Sequence, residues 1–169
     1  MLAPRAAYAR LTHAPRAYVL SYVLFMSLLI AACGAFSATG RITLSQLASL
    51  SIIWMFVPLL HVLIARAVMG PQAGLFLMGH APWSIWLILA ALMTGSFGYA
   101  AYWWMLLAAA LPVMLTFRIA HAFCIEVLGT ARRGATVRAL VHQAVTWLVA
   151  AIYLDRAVSL VPRIQGWLS

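Results

Sequence analysis

Leu75–Phe117, LFLMGHAPWSIWLILAALMTGSFGYAAYWWMLLAAALPVMLTF, runs for 43 residues without an Asp, Glu, Lys or Arg. A helix crosses the hydrocarbon core of a bilayer with about 20 residues, so this stretch is too long for one span and the right length for two. Thr94-Gly95-Ser96-Phe97-Gly98 supplies the turn between them. The fold class that follows is all-α: a polytopic membrane helix bundle.

The rest of the chain agrees. Of 169 residues 66% are hydrophobic and 8% charged, and the mean hydropathy is +1.02. That leaves too little polar surface to solvate a globular domain of this size. Working outward from Leu75–Phe117, about five spans are expected, near residues 17–38, 44–65, 75–94, 99–117 and 139–159, forming one integral membrane domain with no room for a soluble catalytic domain. Span two contains Pro58, where a modest kink is expected because proline frees a helix carbonyl. Pro82 makes the segment before Trp83 a candidate interfacial or re-entrant piece, and Gly70-Pro71-Gln72-Ala73-Gly74 reads as a loop. The basic N-terminus precedes an apolar run without a persuasive cleavage signature, so that run is read as a retained first span.

All eleven basic residues are arginine, against two acidic residues. With the abundant alanine this composition points to a GC-rich bacterial genome. Arg5, Arg10, Arg16, Arg66, Arg118, Arg132, Arg133 and Arg138 fall on one side of the five spans, and Arg41, Arg156 and Arg163 on the other. Cytoplasmic loops retain positive charge, so the N-terminus is placed inside, the C-terminus outside, and the protein in the bacterial inner membrane as a multi-pass protein. Tyr18, Tyr22, Trp83 and Trp86 are then expected near the inner interface, and Tyr99, Tyr102 and Trp103 near the outer one. Cys33 and Cys124 lie at different depths and cannot pair within one chain.

This orientation puts every histidine on the inner side. His61, His80 and His142 differ in depth by about one helical turn, which makes them candidate axial ligands for a b-type haem in an electron-transfer or quinone-linked subunit. His121, Cys124 and Glu126 supply a mixed donor set for a metal ion in the same layer. Against both stands the amphipathic nature of imidazole, which suits the inner ends of spans without any ligand.

Other chemistries find less support. Asp155 is the one carboxylate within a span and sits beside Arg156, so a proton-coupled transporter would have no ionisable group at the membrane centre. Ser96 in its Gly95-Ser96-Phe97-Gly98 turn lies on the opposite side from every histidine, which excludes a serine–histidine dyad. No HExxH, CxxC or phosphate-binding glycine loop is present. Thr94, Thr116, Thr146, Ser49, Ser51 and Gln143 are expected to hydrogen-bond between helices. Arg132, Arg133 and Arg138 form the densest basic patch; it is topogenic, or it binds anionic lipid or an acidic partner. Nucleic acid does not explain the net charge of +9, because the arginines are spread over several loops.

A basic cytoplasmic N-terminus, five spans, a helical hairpin after span two, and Glu126-Val127-Leu128-Gly129 followed by Arg132-Arg133 together resemble bacterial Yip1-like five-span membrane proteins. The resemblance is one of topology, and it implies a membrane-organising or accessory role with no functional residue carried over. The expected function is a non-enzymatic accessory or scaffold subunit, with no cofactor, that packs against anionic lipid and against other membrane subunits or a second copy of itself. The haem or quinone-linked subunit is the alternative, and a small transporter comes after it.

Overall fold

The computed structural model describes residues 3–10, 17–79, 82–86, 88–89, 92 and 100–168. Among these the regular structure is helical and no strand occurs. The elements are α1 (Pro4–Tyr8), α2 (Tyr18–Thr39), α3 (Leu44–Trp54), α4 (Phe56–Met69), a 3-10 turn (Gly70–Gln72), α5 (Ala73–Met78), α6 (Ala100–Glu126) and α7 (Arg132–Leu168). Residues 82–86 are also helical. Tyr18–Phe36, Leu44–Met78 and Leu107–Glu126 are each long and apolar enough to cross a membrane, which makes the chain a candidate multi-pass membrane protein.

Local chemistry explains where the helices break. Thr43 opens α3 with a reciprocal cap: its hydroxyl accepts from the Gln46 N–H, and the Gln46 side chain accepts from the Thr43 N–H. α3 ends at Trp54 and α4 starts at Phe56, with Met55 between them, because Pro58 has no N–H to donate to the Trp54 carbonyl four residues back. The same arithmetic applies at Pro82, which cannot donate to Met78, the last residue of α5. The expected third span is therefore interrupted near its start. Leu75, Phe76 and Leu77 are buried inside the protein, so α5 packs into the core.

α6 continues past Phe117 to Glu126, through a stretch whose Ile119, Phe123 and Val127 mark one apolar side ahead of Gly129. Ile119, Ala120, Ala122 and Phe123 are buried, so packing favours helix here. The chain then turns at Gly129, whose φ of 61° belongs to the left-handed region that favours glycine. This lets the Thr130 N–H donate back to the Cys124 carbonyl at 2.9 Å.

The main core joins the ends of several elements. Tyr8 of α1, Val23 of α2, Val62, Ala65 and Met69 of α4, Leu75, Phe76 and Leu77 of α5, Ile119, Ala120, Ala122, Phe123 and Cys124 of α6, and Ala135 and Ala139 of α7 contribute to it. The starts of α2 and α7 thus meet the ends of α4 and α6 at one end of the bundle. Further along, Leu20, Leu24, Phe25 and Leu28 of α2, Leu107, Leu111 and Met114 of α6, and Leu140 and Leu148 of α7 are exposed. Such large apolar surface is what lipid covers.

Candidate functional site

Five elements bring polar and aromatic side chains together in the bundle interior. His61 of α4 and His142 of α7 are buried, with ring centroids 5.9 Å apart. Tyr22 of α2 reaches His61: its Oη lies 3.2 Å from His61 Nδ1 and 3.5 Å from Ser84 Oγ. The edge of Phe76 from α5 packs on His142 at 5.0 Å. Trp83 lies 6.1 Å from the His61 ring, stacks on Trp86 at 5.2 Å and meets Trp147 of α7 edge-on at 4.9 Å. Pro58 and the break before it set the orientation from which α4 presents His61 one turn later. Spacing on α7 does the rest, since His142 and Thr146, and Gln143 and Trp147, are each four residues apart and share a face.

Beside this cluster Gln143 Nε2 donates to Thr116 Oγ1 at 2.7 Å, linking α7 to α6. Thr116 in turn donates to the Pro112 carbonyl, also at 2.7 Å. Both side chains are buried, so the pair satisfies polar groups that lipid cannot. Ser51, in contrast, donates within its own helix to Leu47, where an interhelical partner was expected.

A second assembly closes the end of the bundle. α1 lies against α6 with Tyr8 only 2% exposed. The Tyr8 hydroxyl donates to the Phe76 carbonyl at 3.0 Å, and its ring meets Phe123 edge-on at 5.3 Å. A Cβ on Gly79 would stand 2.1 Å from Tyr8 Oη and 2.9 Å from its Cζ, so the seat for the phenol exists only because residue 79 is glycine. One turn away Arg5 Nε pairs with Glu126 Oε1. Burial, with a smaller contribution from Tyr18, pushes the Tyr8 phenol well above its ordinary value.

The expected ligand sets fare differently. His61 and His142 do come together, while His80 lies outside the described residues, as do Thr94 and Ser96. Around this pair the Phe76 ring lies 5.0 Å from His142, and the Trp83 and Tyr22 rings lie 6.1 and 6.3 Å from His61, so the haem alternative rests on two of its three histidines. His121, Cys124 and Glu126 do not converge. Position 126 is about 140° around the helix from position 121; His121 stacks on Phe117, Cys124 Sγ faces Met69 Sδ at 3.7 Å, and Glu126 turns to Arg5. Among the described residues no group of three His, Cys, Asp or Glu is placed to hold a metal ion.

Arg132, Arg133 and Arg138 are all exposed on the first turns of α7, at the bundle end that α1 covers. Arg66 and Arg118 are exposed as well. Of the aromatics expected near the inner interface, Tyr18, Tyr22, Trp83 and Trp86, Tyr22 lies within hydrogen-bond distance of His61 and Trp83 is buried. Trp147 was missed, although its spacing from Gln143 was a usable signal. Tyr8 and Gly79 were missed with no local signal beyond a lone aromatic in an alanine-rich turn. No family model, curated protein or solved structure matches this chain.

Proposed function

We propose that this protein is a non-enzymatic accessory or scaffold subunit of a bacterial inner membrane, with about five spans and a cytoplasmic N-terminus. It packs laterally against other membrane subunits or a second copy, and it holds anionic lipid at its arginine-rich end. The observation that carries this reading is the division of the surface. Large apolar side chains face outward along α2, α6 and α7, while Arg66, Arg118, Arg132, Arg133 and Arg138 stand exposed on helices whose ends share one core. Basic residues at one membrane face both orient the spans and attract acidic headgroups.

Native mass spectrometry and native gels after gentle detergent extraction test it. Replacing Arg132, Arg133 and Arg138 together with glutamine should weaken lipid or partner association by about 1 kcal/mol per arginine, less what salt screens. The variant should insert in the same orientation, because Arg5, Arg10, Arg66 and Arg118 remain. A parent protein that migrates alone and carries no phospholipid would remove the basis of the proposal.

A further inference from the structure

We propose that α1 is a lipid-responsive latch: an anionic headgroup competes with Glu126 for Arg5, and loss of that ion pair frees Tyr8 from its seat against Phe76, Phe123 and Gly79. The proposal rests on the anionic-lipid reading above. Its first support is the charge balance at this end of the bundle. Glu126 stands there against Arg5, Arg10, Arg66, Arg118, Arg132, Arg133 and Arg138, and it is Arg5 that it pairs with. The Arg5 side chain is 61% exposed, so a phosphate reaches the same guanidinium, for which it is an equally good bidentate acceptor.

The second support is the dependence of α1 on its docking. A five-residue helix is far below the length at which helices persist alone in water, so the contacts of Arg5 and Tyr8 decide whether it stays. The third is the fit of the seat. Tyr8 fills a notch at Gly79 that a single methyl group would close, and its hydroxyl bonds the backbone of α5. From there the contacts lead inward. Phe76, held by Tyr8 on its backbone and by Phe123 on its ring at 5.3 Å, is the residue whose edge packs on His142. Undocking Tyr8 therefore removes the brace behind the His61–His142 pair.

Spin labels on Ala9→Cys and Ala131→Cys, both exposed positions, in a background lacking Cys33 and Cys124, report the separation of α1 from the α6–α7 turn in nanodiscs. In zwitterionic lipid the parent should give one short, narrow distance. Adding phosphatidylglycerol should raise the population of a longer, broader distance by about two- to fivefold, the ratio expected when a largely exposed ion pair is lost. Glu126→Gln should show that population already in zwitterionic lipid, and Tyr8→Phe should show it in part. The same narrow distance in Glu126→Gln and parent overturns the latch. Phosphatidylglycerol retained in native mass spectra without any change in distance overturns the lipid trigger alone, and no retained phosphatidylglycerol overturns the lipid reading together with the trigger.

Discussion

Tyr8 concentrates several effects in one side chain. It is buried, hydrogen-bonded to a backbone carbonyl and seated on a glycine. Gly79→Ala should destabilise the protein by about 1–3 kcal/mol, the usual cost of forcing a group into a filled space, because the Tyr8 ring must shift from its seat to admit a Cβ. Combining it with Tyr8→Ala should cost less than the sum of the two single changes, and thermal unfolding in detergent measures the difference. Additive effects would mean that the two residues do not touch. The phenol also makes a pH prediction. Its folded pKa lies above the ordinary value of 10.0, so Tyr8 contributes its stability in full below pH 10 and loses it as the pH rises toward the folded value. Tyr8→Phe should abolish that alkaline loss, and a variant that loses stability above pH 10 as the parent does would contradict the assignment.

At the scale of elements, polar groups between helices decide the register. Gln143→Leu removes the bond to Thr116 and should cost about 0.6–1.7 kcal/mol, the range for such bonds between membrane helices; a neutral result in thermal unfolding would show that the α6–α7 contact does not depend on it. Much of this level is legible in the sequence. Thr43 with Gln46 marks the start of α3, Pro58 the break in span two, and Gly129 the end of α6, because each acts through its own backbone. What escaped was set by tertiary packing. Nothing local distinguishes Leu75–Leu77 as a short core segment from the start of a membrane span, since both are continuous apolar runs. The end of α6, by contrast, is legible despite Arg118, His121 and Glu126, because Ile119 and Phe123, four residues apart, lie on the face that is buried. The histidine pair was legible as a shared depth. Its tryptophan and tyrosine neighbours were not, because interfacial and interior aromatics look alike in sequence.

For the whole molecule, lipid association, lateral packing and the latch all depend on the proposed orientation, in which the arginine-rich end, where α1, α5, the ends of α4 and α6 and the start of α7 meet, faces the cytoplasm and Arg41 after α2 faces the opposite side. The exposed apolar residues between these levels then lie in hydrocarbon, and the basic rim lies against anionic headgroups. Substituted-cysteine accessibility in intact cells tests this most directly, with single cysteines at Gly40, Gly70, Gly134 and Ser169 in a background lacking Cys33 and Cys124. An impermeant thiol reagent should label positions 40 and 169, and positions 70 and 134 should react only after the membrane is opened. Labelling of position 70 or 134 in intact cells, or protection of position 40, would contradict this orientation.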